Sequence, residues 1–307
     1  MAKQIIFIVG PTAVGKTAVA ACLARKIKGE IISCDSMQVY KGMDILASKP
    51  SDALRKNIPH HLISVVSPQE EYNVARYRKS ALFQLKDILK RGKTPIFCGG
   101  TGLYLSVLVD GIFDAKPENK KIRQRLYRQA LARGSANLYK RLQKIDSRAA
   151  TKIHPNDTKR IVRALEVFEA TGRPISELQA ERKGLADEYD VRIFCLDIER
   201  DRLYDRINKR VDKMFRLGLV KEVKKLLKLK LSRTARFAIG VREIKDYLEG
   251  RFDLEQAKEL IKRNTRWYAK RQLTWFRKDE RIQWLNIDIK EKPQTVAGRL
   301  IEWNVLY

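Results

Sequence analysis

The feature that most constrains the fold is a glycine-bounded motif between an apolar run and a helix-like segment. It consists of Gly10, Pro11, Thr12, Ala13, Val14, Gly15, Lys16 and Thr17, and it fits the pattern G-x-x-x-x-G-K-[ST]. The run Ile5 to Val9 before it is typical of a parallel strand buried on both faces, and Lys16 to Ile27 after it is spaced as a helix. In this context backbone N–H groups and the helix N-terminus bind phosphate, the lysine reaches the outer phosphate, and the threonine hydroxyl suits Mg²⁺.

Further apolar runs predict more strands of the same sheet. They are Ile31 to Cys34, Pro95 to Cys98 and Val191 to Asp197. Because strand, loop and helix alternate, we predict an α/β fold with a P-loop NTPase-like, mostly parallel sheet flanked by helices. Ligands of such sheets lie beyond the carboxyl ends of the strands, so we expect the active site along that edge.

The character of the chain changes between residues 113 and 190. Here Lys116 to Leu142 and Asp157 to Thr171 are helix-like, the second helix stops at Gly172, and no strand is predicted. We therefore expect a first part of the α/β core at 1–112, an inserted helical domain at 113–190, and the rest of the core at 191–307. Within that last part, 199–295 is predicted to be mostly helical.

The charge balance points to a polyanionic partner. The chain has 64 Lys and Arg against 36 Asp and Glu, a formal net charge of +28. Nucleic acid is the first expectation and an anionic membrane the second.

No apolar run approaches the roughly 18 residues of a bilayer span, which excludes an integral membrane protein. The four cysteines include no C-x-x-C pair, so we expect no zinc site. With no signal-peptide core either, a reducing cytoplasmic compartment is favoured.

Two polar positions at predicted strand ends carry candidate chemistry. Asp35 follows the second strand and is a candidate general base, a candidate Mg²⁺ ligand, or the cap of a helix beginning at Ser36, and position alone does not separate these. Asp197 is a weaker rival for a metal-holding carboxylate. The glycine-rich turn around Thr101 is either a tight strand-to-helix connection or a close approach to a ligand that Thr101 contacts.

The segment 266–278 interleaves basic and aromatic residues. On a helix Trp267, Arg271 and Trp275 share one face, which is compatible with stacking on nucleic-acid bases. We prefer the interpretation that the tryptophans belong to the core and the basic residues form a solvated rim. The histidines His60 and His61, with Ser64, are interpreted as structural polar residues.

Four segments occur together in a specific order: Gly10 to Thr17, Asp35 to Tyr40, Gly99 to Tyr104 and Asp157 to Glu166. Together they resemble the tRNA dimethylallyltransferases, over nearly the whole chain. The resemblance implies transfer of the dimethylallyl group of dimethylallyl diphosphate to N6 of adenosine 37 of tRNA, next to the anticodon. The products would be N6-dimethylallyladenosine and diphosphate, with Mg²⁺ as cofactor.

The resemblance also implies roles for individual residues. Thr12, Lys16 and Arg210 would bind the diphosphate, Thr17 would lie near the metal, and Asp35 would be the base, with Gln38 and Thr101 beside it. The implied catalytic residues are Asp35, Thr101 and Arg210. The implied tRNA contacts are Asp35, Ser36, Met37, Gln38, Thr101, Arg123, Lys159, Arg160, Ile161, Val162, Arg163, Ala238, Ile239, Gly240, Val241, Arg242 and Glu243. Val241 departs from the aromatic residue expected there. A cytoplasmic monomer with no membrane contact is expected.

Three other functional hypotheses account for part of these motifs or of the basic charge. A small-molecule P-loop kinase would use the same loop for ATP, but it leaves the basic charge unexplained. An adenylate isopentenyltransferase would share the catalytic motifs, and the basic insertion argues against it. A non-catalytic nucleic-acid-binding module would have no need for an intact Lys16, Thr17 and Asp35.

Overall fold

The computed structural model describes residues 3–113, 119–288 and 290–305. The chain divides into two compact units, Met1–Val109 with Glu188–Tyr307, and Asp110–Asp187. The interrupting unit begins and ends slightly before the predicted segment 113–190. A role of that unit in tRNA binding stays a prediction.

The first unit is built on a six-stranded sheet. Its strands are β1 (Gln4–Val9), β2 (Gly29–Ser33), β3 (His60–His61), β4 (Thr94–Cys98), β5 (Asp190–Asp197) and β6 (Ile282–Asn286). Their order is β3-β2-β4-β1-β5-β6, and each pairing is parallel. The predicted α/β fold with a mostly parallel sheet is therefore confirmed. The short strand β3 and the edge strand β6 were not predicted.

Helices flank this sheet and supply the rest of the first unit. They are α1 (Lys16–Lys26), α2 (Asp52–Asn57), α3 (Val74–Lys90), α4 (Gly102–Val109), α10 (Arg200–Arg216), α11 (Leu219–Leu226), α12 (Arg233–Arg236), α13 (Val241–Leu248), α14 (Leu254–Phe276) and α15 (Pro293–Leu300), followed by a π-helical turn at Ile301–Val305. Residues Ile5 to Val9 of β1 are all buried, as expected for a strand covered on both faces. Apart from β6, the prediction of a mostly helical segment 199–295 is confirmed. In the described part of the chain, no helix is long and apolar enough to cross a bilayer.

The second unit is helical and has its own apolar core. Its helices are α5 (Lys120–Arg133), α6 (Ser135–Ile145), α7 (Ser147–Ala150), α8 (Thr158–Thr171) and α9 (Ile175–Ala180), with a 3₁₀ turn at Leu185–Asp187. The core packs leucines of α5 and α6 against the apolar face of α8. Helix α8 is the predicted one: the Asp157 carboxylate accepts from Arg160 N at its start, and Gly172 ends it with φ 74°.

The helical character predicted for Lys116 to Leu142 is confirmed for the residues that the structure describes, although the segment is broken into two helices. Lys116 lies outside the described residues, and the remainder forms two helices that meet at Gly134. Gly134 has φ 77°, which ends α5 and redirects the chain before Ser135 begins α6. Apolar spacing alone does not locate such a break.

Candidate active site

The phosphate loop connects β1 to α1. Gly10 has φ 142° and Gly15 φ 107°, and a Cβ on Gly10 would come within 2.5 Å of the backbone oxygen of Leu196. Lys16 Nζ donates to the backbone oxygens of Gly10 at 3.0 Å and Pro11 at 2.7 Å. The lysine therefore bonds back to the start of its own loop. Burial, with the nearby guanidinium of Arg210, lowers the pKa of Lys16 to about 8.

A cavity of about 450 Å³ lies against this loop. Thr12, Lys16 and Thr17 line it from the loop, and helix α10 contributes three cationic side chains. These are Arg206, Lys209 and Arg210. A cavity with this concentration of positive charge beside a helix N-terminus is suited to a diphosphate.

Arg210 is fixed against the loop. Its Nη1 donates to Thr12 Oγ1 at 3.1 Å, and its Nε donates to Ser48 Oγ at 2.9 Å. Burial lowers the pKa of Arg210, and the Asp35 carboxylate opposes that shift. The structure thus brings together Thr12, Lys16 and Arg210, for which the resemblance implies one shared ligand.

Asp35 follows β2 and is half-buried. Its Oδ1 accepts from Met37 N at 2.8 Å and from Gln38 N at 3.4 Å. The residues after it form a turn, so the helix considered at Ser36 is not observed, and the carboxylate caps a turn instead. The cap uses Oδ1 alone and is compatible with a second function of the same carboxylate.

The second glycine-rich turn lies beside Asp35. Thr101 N donates to Cys34 O at 3.2 Å, and Thr101 Oγ1 accepts from Ser36 N at 3.1 Å. A Cβ on Gly99 would come within 2.1 Å of the Cys34 oxygen, which explains why this turn needs a glycine. Gln38 also points back to the sheet, since its Oε1 accepts from Ser33 Oγ at 2.9 Å.

A second cavity, of about 270 Å³, adjoins the first. The two cavities share Thr12, Asp35, Ala47, Arg210 and Tyr268. Much of the remaining wall of the second cavity is apolar and consists of Met37, Leu46, Val211, Met214, Phe237, Ala238, Ile239 and Ile261. Asp35 therefore stands between a cation-rich space and an apolar one.

The segment 238–243 borders the second cavity. Ala238 and Ile239 line it, whereas Val241 and Glu243 are buried behind it. The Glu243 carboxylate accepts from Gly240 N at 2.8 Å, so it holds the start of α13. Of the residues predicted to contact tRNA here, Ala238 and Ile239 thus line the cavity, and Arg242 is exposed in α13.

Within the helical unit the six residues predicted to contact tRNA divide into three pairs. Lys159 and Arg160 are exposed, while Ile161 and Val162 are buried in the core. The remaining two residues bond to one carboxylate, that of Glu166, which is 1% exposed. Arg123 Nη2 and Arg163 Nη1 reach its Oε2 at 2.7 and 3.0 Å.

A cationic cavity of about 470 Å³ also lies within the helical unit. Its charged lining consists of Arg148, Lys152, Arg160, Arg163 and Arg182. Sequence reasoning identified two of these residues. It missed the others because they lie on neighbouring short segments, and no contiguous motif marks them.

The preferred interpretation of the tryptophans is wrong. Trp267 is 52% exposed and Trp275 is 40% exposed. Ala269, Gln272 and Phe276 on the same helix are buried. The apolar stripe that buries α14 is thus offset from the face that the tryptophans share.

The polar residues assigned no catalytic role have structural partners. His61 Nε2 lies 2.8 Å from Glu30 Oε2, and Ser64 Oγ accepts from Lys49 Nζ at 2.7 Å. His60 Nδ1 lies 2.7 Å from Ile58 O, and the ring lines the loop cavity. Asp197 accepts from Ile198 N and does not line that cavity.

Two family models match the chain. The model described as IPP transferase matches residues 38–279, and one described as isopentenyl transferase matches residues 3–59. A tRNA dimethylallyltransferase of Thermotoga petrophila is 47% identical over 306 residues, covering 97% of this chain and 98% of that protein. One of Carboxydothermus hydrogenoformans is 47% identical over 303 residues, covering 98% and 97%.

Solved structures agree with these matches. The full-length tRNA isopentenylpyrophosphate transferase of Bacillus halodurans has a TM-score of 0.71 at 39% identity, covering 98% of this chain and 96% of that one. A eukaryotic dimethylallyltransferase acting on tRNA has a TM-score of 0.83 at 33% identity, covering 97% and 78%. The resemblance found in the sequence is confirmed, and this chain belongs to the IPP transferase family.

Proposed function

We propose that this chain transfers the dimethylallyl group of dimethylallyl diphosphate to N6 of adenosine 37 in tRNA, yielding N6-dimethylallyladenosine and diphosphate. The observation that carries the proposal is the position of Asp35, which lines both the cation-rich cavity and the apolar one. A diphosphate in the first cavity and a purine in the second would meet beside this carboxylate. The relatives named as tRNA dimethylallyltransferases support the same activity.

The cation-rich cavity is complementary to the negative charge that develops on the diphosphate during the reaction. As the allylic C–O bond breaks, negative charge accumulates on the departing diphosphate. Lys16, Arg206, Lys209 and Arg210 line the cavity that would hold it. The loop thus holds a leaving group, and the reaction consumes no ATP.

The residues present fit a Mg²⁺ ion bound largely by its substrate. The Thr17 hydroxyl lines the cavity, and the described residues contain no group of three or more His, Cys, Asp or Glu side chains that could hold a metal. Mg²⁺ keeps several waters and binds diphosphate oxygens readily, so one hydroxyl is a sufficient protein ligand. When bound, the ion would supply further neutralisation of the leaving diphosphate.

On the acceptor side, we assign Asp35 as the base that takes the N6 proton of the adenosine. N6 of the adenosine attacks the allylic carbon, the C–O bond to the diphosphate breaks, and one N6 proton moves to the carboxylate. Both backbone bonds of Asp35 end on Oδ1, so Oδ2 is the oxygen we assign to this proton. Thr101 holds Ser36 next to it, and the acceptor base must leave the anticodon stack to reach the site.

The excess of basic side chains would bind the phosphate backbone of the tRNA. The chain carries a net charge of +28, and the helical unit adds exposed cations at Lys159 and Arg160. Cations around the cavity of that unit would contact phosphates rather than read bases. We propose a monomer that works on tRNA in the cytoplasm, where its four unpaired cysteines stay reduced.

The test is incubation of the purified protein with unmodified tRNA, Mg²⁺ and either dimethylallyl diphosphate or ATP, followed by mass spectrometry of the nucleosides. We expect adenosine to gain one C5H8 unit only when both the prenyl donor and tRNA are present. Free AMP in place of tRNA tests the nucleotide-prenylating alternative. Consumption of ATP without any gain on adenosine would contradict the proposal.

A further inference from the structure

Gln272 of α14 connects the two glycine-rich loops of the site. Its side chain is 5% exposed, its Oε1 accepts from Thr12 N at 2.9 Å, and its Nε2 donates to Gly100 O at 2.8 Å. One buried amide thus satisfies a backbone donor of the phosphate loop and a backbone acceptor of the second loop. A buried amide with both bonds made is strongly oriented, because moving it leaves polar groups unpaired.

The second loop is shaped to admit this amide. A Cβ on Gly100 would lie 2.1 Å from Gln272 Nε2 and 3.2 Å from the Gly10 oxygen. A larger residue at position 100 would displace the amide or the phosphate loop. The need for space beside Gln272 therefore accounts for a glycine that a simple strand-to-helix turn does not require.

Each end of the bridge leads to one half of the proposed reaction. On the donor side, Thr12 Oγ1 accepts from Arg210, a lining residue of the diphosphate cavity. On the acceptor side, Gly100 is followed by Thr101, whose hydroxyl accepts from Ser36 N beside Asp35. Gln272 is thus the hydrogen-bonded link between the diphosphate-binding loop and the loop that holds the base.

We propose that Gln272 is a positioning residue that sets the separation between the diphosphate and the Asp35 carboxylate. The inference rests on the proposed function and adds a residue that acts through the two loops to which its amide is bonded. It also has a consequence for the phosphate loop. Because the Thr12 N–H is taken by Gln272, the diphosphate is left to the later N–H groups of the loop, to Lys16 and to Arg210.

Two substitutions separate this role from simple packing. Gln272→Met keeps the approximate shape and removes both hydrogen bonds, so we expect kcat to fall about 100-fold with KM for donor and tRNA within about threefold, since misplacement affects the transition state most. Gln272→Glu keeps the acceptor for Thr12 N. It donates to Gly100 O only when its carboxyl is protonated, and burial raises the pKa of such a group.

The activity of Gln272→Glu relative to wild type should therefore rise at least about tenfold as the pH falls from about 8.5 to about 6. Gln272→Met should show no such rise. Matched controls are Gln283→Glu and Gln283→Met, which change an exposed glutamine of β6 and should follow the wild-type profile. If Gln272→Met does not fold, the pH dependence of Gln272→Glu still decides the question within one folded protein.

A flat ratio of Gln272→Glu to wild type across this pH range would overturn the inference. A Gln272→Met enzyme with kcat within about twofold of wild type would overturn it too. Both variants are compared with a wild-type enzyme that transfers the prenyl group. Failure of the wild type itself would instead refute the proposed function.

Discussion

Asp35 accepts two backbone hydrogen bonds through Oδ1, from Met37 and Gln38, and it is also the proposed base. Substitution can separate these functions. Asp35→Asn keeps an oxygen for the turn and removes the base, so we expect transfer to fall about a thousandfold with tRNA affinity within a few-fold of wild type. Asp35→Ala removes the cap as well. It should lose the same activity and also some stability, by about 1 kcal/mol.

Single-turnover transfer and filter binding of tRNA measure the two effects separately. Asp35→Asn retaining more than about a tenth of wild-type activity would contradict the assignment of the base. Equal loss of transfer and of tRNA affinity in Asp35→Asn would place this residue in binding rather than in proton transfer.

Lys16 gives the site a pH dependence, because burial lowers its pKa to about 8. A diphosphate binds the protonated ammonium better, so affinity for the donor is highest below that pH and falls as the pH rises through it. We therefore expect kcat/KM for dimethylallyl diphosphate to decline above about pH 8, and kcat to decline less, because bound diphosphate raises the pKa of the lysine.

Lys16→Met is the matched variant for this profile. It should lower kcat/KM for the donor about 100-fold at neutral pH and abolish the inflection. An inflection that persists in Lys16→Met would assign it to another group.

The residues found from the sequence lie in contiguous motifs. Lys16, Asp35 and Thr101 each belong to a short segment at a strand end, and spacing along the chain identifies them. Gln272 and Tyr268 come from α14, far along the chain, and reach the same cavity only through the fold. Both lie in the basic and aromatic segment 266–278, but its pattern does not show that they reach the cavity, since buried glutamines and tyrosines also occur in ordinary helix packing.

At the scale of elements, the ends of β2 and β4 are packed without space for a side chain between them. A Cβ on Gly99 would lie 2.1 Å from the oxygen of Cys34, the residue before Asp35. We expect Gly99→Ala to shift the end of β2 and lower kcat about 100-fold. The free energy of unfolding should fall by about 1–3 kcal/mol.

Gly298→Ala is the control for that experiment. Gly298 lies in α15, where the nearest atom to an added Cβ is Lys26 Nζ at 3.9 Å. Alanine there should leave activity unchanged and add up to about 1 kcal/mol through its helix propensity. Urea denaturation with a parallel transfer assay makes the comparison, and unchanged activity of Gly99→Ala would refute close packing at the two strand ends.

The element types were predicted where the pattern was long and uninterrupted. Strand β1 and helix α8 follow their patterns to within a residue or two. Strand β6 was missed because only its first and fourth residues, Ile282 and Leu285, are buried, which leaves little alternation to detect at the edge of a sheet. The break at Gly134 was missed because both flanking segments are strongly helical.

At the scale of the whole molecule, the net charge of +28 predicts that salt controls tRNA affinity. Each phosphate neutralised releases counterions, so affinity for tRNA should fall by at least about 100-fold between about 50 and about 200 mM salt. KM for the small donor should change far less. Arg160→Gln, at an exposed cation of the helical unit, should reduce the salt slope by about one.

A slope near zero would refute backbone contacts as the main source of affinity. An unchanged slope in Arg160→Gln would remove that residue from the tRNA interface. Isothermal or filter-binding titrations at several salt concentrations distinguish these outcomes.

Dimethylallyl transfer to adenosine 37 is tested most directly by a reaction in which released diphosphate and the modified nucleotide are measured together. We would map the tRNA by nuclease digestion and mass spectrometry of the fragments, with dimethylallyl diphosphate as donor and no ATP. We expect one C5H8 unit on the fragment containing adenosine 37, with one diphosphate released per unit, and neither product with Asp35→Asn. Release of diphosphate without modification, or a mass gain on another nucleotide, would contradict it.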